Sequence, residues 1–190
     1  EIGEQVEGNL ICDVNSGNLV YDKNFAKIHN LQSLVCDKNK VCEIGVNAGH
    51  SLLIMLEQNP NAEYYLFDLG YHKYTQPCID YIKSIYPNTK INIIYGDSKK
   101  TLQEFIVSNP NILKTFDFIH IDGGHGELEF TNDFYYTKLL SSDVCINIFD
   151  DYNYSKIKEF LDLRLNNNTI KQYQSSNVIT NERQLIYTNV

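Results

Sequence analysis

The chain is short of basic residues: 16 Lys and Arg residues stand against 24 Asp and Glu residues, and the formal net charge is −8. Proteins that hold nucleic acid through its phosphates depend on Lys and Arg side chains to neutralise the backbone charge. The deficit therefore argues against a nucleic-acid partner and favours a small-molecule substrate.

Long apolar runs are also absent. No stretch approaches the roughly 20 apolar residues of a membrane-spanning helix, and Glu1 to Glu4 lacks the basic and apolar regions of a signal peptide. The five cysteines form no Cys-x-x-Cys pair, and Cys42 and Cys145 lie in apolar runs where a small hydrophobic residue fits. We expect no membrane partner and a reducing, cytoplasmic location.

The 190 residues, 43% of them hydrophobic, suit one well-buried domain. From residue 40 onward, short apolar runs alternate with amphipathic segments, which is typical of a doubly wound, mostly parallel α/β sheet. The expected strands are 41–46, 64–68, 91–95, 117–121 and 144–149. The expected helices are 50–58, 76–86, 99–107, 127–140 and 154–166.

Both ends of the chain depart from this alternation. Residues 170–178 and 184–188 have the pattern of two strands, which predicts a C-terminal antiparallel hairpin. Residues 1–39 fit no sheet unit, and we interpret them as an N-terminal helical or lid segment with a helix over 22–35. The segment 40–190 is then the body of the single domain.

The most informative segment is VCEIGVNAGH, from Val41 to His50, where an apolar run breaks into a loop with glycines at 45 and 49. A helical pattern follows, and a second apolar run ends at Asp68, nineteen residues after Gly49. In a doubly wound sheet such glycines let the backbone approach a ligand, and the acid can accept hydrogen bonds from ribose hydroxyls. The segment therefore predicts a nucleoside-containing cofactor.

The dinucleotide fingerprint requires glycines where Asn47 and His50 stand, which disfavours a pyrophosphate. Led by Glu43, the loop instead resembles the first motif of the class I S-adenosylmethionine-dependent methyltransferases. An acid beside it suits a cofactor that carries an ammonium and a sulfonium. This resemblance implies a Rossmann-like methyltransferase sheet of strand order 3-2-1-4-5-7-6. The cofactor-binding residues that it implies are Glu43, Gly45, Asn47, Gly49, Ser51, Asp68, Asp97, Ser98 and Asp122, of which Asp97 or Ser98 equally suits a helix N-cap.

Acidic residues end two further apolar runs, Asp122 the fourth and Asp150 with Asp151 the fifth. Because neighbouring parallel strands end at one edge of a sheet, we expect the three carboxylates to converge beside the cofactor crevice. Clustered carboxylates repel one another unless a cation sits among them, and oxygen ligands suit Mg²⁺ or Mn²⁺. The local alternatives are a turn at Asp122 and a helix N-cap at Asp150 or Asp151.

Over about residues 40–188 the chain resembles the metal-dependent sugar O-methyltransferases of the macrocin, mycinamicin and cephalosporin-hydroxylase-like group. The resemblance implies that Asp122, Asp150 and Asp151 hold the metal and that His125 acts with Asp122 in catalysis, as the base. It also implies an acceptor with a vicinal diol, such as a sugar or nucleotide-sugar. A metal-independent methyltransferase that uses His125, or a non-catalytic binding module, remains an alternative. The oligomeric state is left open, a homo-oligomer included.

Overall fold

A computed structural model describes residues 3–8, 10, 18 and 21–190. The predicted N-terminal segment therefore lies partly outside the described residues. The helices are α1 Tyr21–Val35, α2 His50–Gln58, α3 Thr75–Ile85, α4 Ser98–Ser108, α5 Glu127–Leu140 and α6 Ser155–Asn166, with a 3-10 turn at Pro110–Ile112. The strands are β1 Lys40–Ile44, β2 Glu63–Asp68, β3 Ile91–Tyr95, β4 Phe116–Ile121, β5 Ser141–Phe149, β6 Ile170–Gln172 and β7 Leu185–Asn189.

The seven strands form one sheet in the order β3-β2-β1-β4-β5-β7-β6, which confirms the predicted order. Strands β1 to β5 run parallel to one another, and β7 runs antiparallel to both β5 and β6. The order reverses between β1 and β4, and ligands of open α/β sheets bind at the carboxyl ends of the strands beside such a switch point.

Alternate residues of each strand face two separate core layers. In β1, Val41 packs into the layer under α1, α2 and α3, whereas Cys42 packs into the layer under α4, α5 and α6. Helix α1 contributes Leu31 and Val35 to the first layer, where they share one cluster with Leu52 of α2. The predicted helix over 22–35 is thus built into the core of the sheet.

Two strands are shorter than predicted. Strand β1 ends at Ile44 because Gly45 turns the chain with φ 83°. Strand β6 ends at Gln172 rather than near Val178, whose N–H donates to the carbonyl of Ser175 in a turn that stops the pairing. None of the helices in the described part of the chain combines the length and apolar character needed to cross a bilayer.

Candidate active site

The loop after β1 adopts a backbone that requires glycine at two positions. Gly45 has φ 83°, and a Cβ atom there would lie 2.0 Å from the carbonyl oxygen of Asp122. Gly49 has φ 79°, and a Cβ atom there would lie 2.6 Å from Cδ1 of Ile82. The two glycines therefore let this loop contact the loop after β4 and the side of α3.

Asp68, at the end of β2, holds the same loop in place. Its Oδ2 accepts hydrogen bonds from the N–H groups of Val46 at 2.9 Å and Asn47 at 2.8 Å. Its Oδ1 accepts from the N–H of Gly70 at 2.8 Å. An ionised carboxylate has roughly four acceptor sites, so Asp68 retains capacity for one further donor after it has fixed the loop.

A cavity of about 580 Å³ opens at the carboxyl ends of β1 to β4, within the range of small-molecule sites. Most of the predicted site residues line it: Gly45, Asn47, Ser51, Asp68, Asp97, Ser98, Asp122 and Asp151. The others lie next to it without lining it: Glu43, Gly49, His125 and Asp150.

Asp97 lines the cavity and also caps a helix. Its Oδ1 accepts a hydrogen bond from the N–H of Lys99 at 3.0 Å, which makes it the N-cap of α4. The ammonium of Lys99 lies 3.5 Å from Oδ2 of Asp97 and binds Glu129 on the facing helix. Asp97 can therefore cap the helix and line the cavity at the same time. Ser98 is the first residue of α4.

Glu43 is buried behind the cavity, where it binds a histidine that the sequence analysis missed. Its Oε1 lies 2.9 Å from Nδ1 of His120 and accepts a hydrogen bond from the hydroxyl of Ser51. Glu43 and His120 are both about 1% exposed or less. A histidine inside the apolar run FDFIHI of β4 was the available signal, because an imidazole in a buried strand needs a polar partner.

His120 joins two carboxylates at the edge of the sheet: ligand atoms of His120, Asp122 and Asp150 lie within 4.8 Å of one another. Burial, together with the charge of Asp150, raises the pKa of Asp122 to about 7. Burial opposes the charged form of His120, but the carboxylates of Asp150 and Glu43 outweigh it and raise the pKa of His120 to about 10. The two carboxylates therefore favour the protonated form of the imidazole.

A second buried cation reaches this group from α1. The ammonium of Lys27 forms an ion pair with Oδ2 of Asp150, and the two side chains are 6% and 0% exposed. Burial acts to raise the pKa of Asp150, but His120 and Lys27 outweigh it and hold that pKa below its usual range. Lys27 also lines the cavity beside Asp122.

Asp151 faces a different set of residues from Asp150. It has the left-handed backbone φ of 54°, and its Oδ2 lies 2.6 Å from Nε2 of His125. Its Oδ1 lies 3.8 Å from Nη2 of Arg183. The structure therefore groups Asp122 and Asp150 with His120 and Lys27, and it leaves Asp151 outside that group, contrary to the expected convergence of three carboxylates.

A family model described as a methyltransferase domain matches residues 42–152, more than half of the chain. The chain belongs to this methyltransferase family. The match begins at Cys42 inside β1 and ends at Tyr152, so it includes the loop after β1, Asp68, Asp122 and Asp151. The predicted assignment as an S-adenosylmethionine-dependent methyltransferase is confirmed. A search of curated protein sequences finds no match.

Solved structures of low sequence identity share the fold of this methyltransferase. A protein from Staphylococcus aureus assigned as a caffeoyl-CoA O-methyltransferase is 13% identical, with a TM-score of 0.67 over 93% of this chain and 88% of its own. An O-methyltransferase from Bacillus cereus, in complex with S-adenosylhomocysteine, is 17% identical, with a TM-score of 0.65 over 86% and 80%. The TDP-rhamnose 3'-O-methyltransferase of calicheamicin biosynthesis is 14% identical, with a TM-score of 0.63 over 88% and 79%.

The cavity of this methyltransferase fits S-adenosylmethionine. Gly45 and Asn47 line the cavity, and Oδ1 of Asn47 is a buried acceptor without a hydrogen-bond partner among the described residues. Unpaired buried acceptors are costly, so a donor such as the cofactor's ammonium or ribose hydroxyl suits this position. Asn47 and Asp68 are the side chains that would hold a bound cofactor.

The residues at this edge of the sheet suit a divalent cation less well than the cavity suits the cofactor. His120, Asp122 and Asp150 are chemically suitable donors whose ligand atoms lie within 4.8 Å of one another, but one of the three already has a cationic partner. Asp150 is already bound by the ammonium of Lys27. As arranged, these residues do not fit Mg²⁺ or Mn²⁺.

Proposed function

We propose that this methyltransferase methylates a hydroxyl group of a small molecule, with a vicinal diol of a sugar or nucleotide-sugar as the acceptor class. The observation that carries the proposal is the close approach of Gly45 to the carbonyl of Asp122, which joins the cofactor loop and a cavity-lining carboxylate of raised pKa. A TDP-rhamnose 3'-O-methyltransferase and a Bacillus cereus O-methyltransferase among the similar folds agree with this chemistry.

When bound, S-adenosylmethionine supplies an electrophilic methyl group and becomes S-adenosylhomocysteine. Asp122 accepts the proton that the acceptor hydroxyl loses as its oxygen gains the methyl group. A base works best when its pKa lies near the operating pH, and the pKa of Asp122 is raised to about 7 by burial. Asp122 is the stronger candidate for the base because it lines the cavity, whereas His125 does not.

Asp151 is placed to accept a hydrogen bond from the second hydroxyl of a diol. It lines the cavity, its Oδ2 lies 2.6 Å from Nε2 of His125, and its Oδ1 lies 3.8 Å from Nη2 of Arg183, which also lines the cavity. In this arrangement His125 is a positioning residue, which acts on the acceptor through Asp151. The proposal includes no divalent cation, because Lys27 and His120 already compensate the charge of Asp150.

The experiment is a methyl-transfer screen with purified protein, S-adenosylmethionine carrying a deuterated methyl group, and mass spectrometry of the products. Candidate acceptors are nucleotide-sugars, free deoxysugars and catechol-type diols, each paired with an analogue that lacks one of the two hydroxyls. We expect the labelled methyl group on a diol and much less on its single-hydroxyl partner. Label on amines or thiols, with no labelled hydroxyl product, would contradict the proposal.

A further inference from the structure

Helix α1 carries a buried cation to the acidic edge of the cavity. Lys27 is 5% exposed, and its ammonium binds the buried carboxylate of Asp150 while its side chain lines the cavity beside Asp122. One turn earlier on the helix, Asn24 is also buried, and its side chain accepts a hydrogen bond from Arg183 at 3.2 Å and donates one to the carbonyl of Leu10 at 3.1 Å. This face of α1 is therefore fixed against the site by polar contacts.

Asp150 has a cationic partner without any further ion. The ammonium of Lys27 binds its Oδ2, and both side chains are buried. A divalent cation bound to the same carboxylate oxygen would have to displace this ammonium. Buried charges are tolerated when they are paired, and here the pairing is supplied by the chain itself.

We propose that the ammonium of Lys27 takes the place of a divalent cation in this site: it compensates Asp150 and donates a hydrogen bond to the acceptor oxygen beside Asp122. An ammonium has three donors, and one ion pair leaves others for a ligand in the cavity. A hydrogen bond from a cation stabilises the oxygen as it loses its proton to Asp122. The role toward the acceptor rests on the proposed function, but the exclusion of metal does not.

The test is a titration of the purified protein with Mn²⁺, in which electron paramagnetic resonance and calorimetry measure the bound ion. Binding of S-adenosylhomocysteine checks that each variant is folded. The variants are Lys27→Met, Asp150→Asn, the double variant that combines the two, and Lys23→Ala as a control. Lys23 lies one turn earlier on α1 and is exposed, so its removal changes the charge of the helix but not the buried pair.

We expect wild type and Lys23→Ala to bind Mn²⁺ only weakly and to the same extent. Lys27→Met should bind one Mn²⁺ at least about tenfold more tightly than wild type, because a like charge has left the carboxylates, and the double variant should lose this gain. A wild-type Mn²⁺ site of one-to-one stoichiometry that Asp150→Asn abolishes would overturn the proposal, and so would an unchanged affinity in a folded Lys27→Met.

If Lys27→Met does not fold, the Mn²⁺ affinities of wild type and of Asp150→Asn still decide the question. They show whether Asp150 binds a metal or is held by Lys27. Once an acceptor is known, Lys27→Met should lower kcat while activity of the wild type should survive excess chelator. Failure to find any hydroxyl acceptor would count against the proposed function and leave the Mn²⁺ result standing. The two failures are therefore distinguishable.

Discussion

Asp122 and His125 lie three residues apart, yet they have different access to the cavity. Asp122 lines the cavity and its pKa is raised to about 7, whereas His125 is half exposed and its Nε2 is bound to Asp151. We expect Asp122→Asn to lower kcat by about 10²–10⁴, the usual range for loss of a general base. Steady-state kinetics with an acceptor from the screen measures this change.

His125→Ala is the matched comparison for Asp122→Asn. Because His125 acts through Asp151, its loss should raise KM for a diol more than it lowers kcat, and the pH profile of kcat should keep its wild-type shape. Binding of S-adenosylhomocysteine should stay close to wild type in both variants. If His125→Ala lowers kcat as much as Asp122→Asn does and flattens the pH profile, the base is His125.

At the scale of single residues, the sequence predicts the acids better than their partners. Asp68, Asp97, Asp122 and Asp151 each follow an apolar run, and the cavity forms where those runs end. The partners of Asp150 could not be predicted in this way. Lys27 lies more than a hundred residues away on a helix whose position depends on the packed core, and no local pattern in the sequence specifies that contact.

Among the elements, the loop after β1 has the strictest steric requirement. We expect Gly45→Ala to abolish binding of S-adenosylhomocysteine in calorimetry, because a methyl group would lie 2.0 Å from the carbonyl oxygen of Asp122. The loop after β1 and the loop that carries Asp122 would have to move apart. This would also displace Asp122, the proposed base. The strained positive φ alone costs about 1–3 kcal/mol of stability.

Gly3→Ala provides the control for this prediction, because it separates backbone strain from steric overlap. Gly3 also has a positive φ, 69°, but a Cβ atom there would meet nothing within 4 Å. The control should keep cofactor affinity within about threefold of wild type, because Gly3 does not line the cavity and its strain does not move the loop after β1. Equal losses in the two variants would mean that strain, not contact with Asp122, is responsible.

Element types and order are predictable here because hydrophobic periodicity records which faces are buried. The order β3-β2-β1-β4-β5-β7-β6, implied by the resemblance, and all five expected crossover helices are found. Element ends are less predictable, as β6 illustrates. The turn at Ser175 stops it at Gln172, although the residues up to Val178 continue a strand-like pattern.

At the scale of the whole molecule, one buried acid outside the group of His120, Asp122 and Asp150 should make the free energy of unfolding depend on pH. Asp133 of α5 is 1% exposed, neither of its carboxylate oxygens has a hydrogen-bond partner among the described residues, and burial raises its pKa from 3.8 to about 6. The folded chain therefore binds a proton that the unfolded chain releases. This contribution to stability is present below about pH 4 and is lost as the pH rises through about 6.

Asp133→Asn removes this titration, since an amide of nearly the same size and shape stays neutral at every pH. Relative to wild type, the variant should gain up to about 3 kcal/mol in free energy of unfolding between pH 4 and pH 7, which is the equivalent of roughly two pKa units. Urea unfolding at a series of pH values measures the difference. Asp143→Asn, at an exposed site on β5, should show no such trend. A difference between Asp133→Asn and wild type that stays constant from pH 4 to pH 8 would mean that Asp133 is ionised in the folded protein throughout, and that α5 provides it with a partner strong enough to offset its burial.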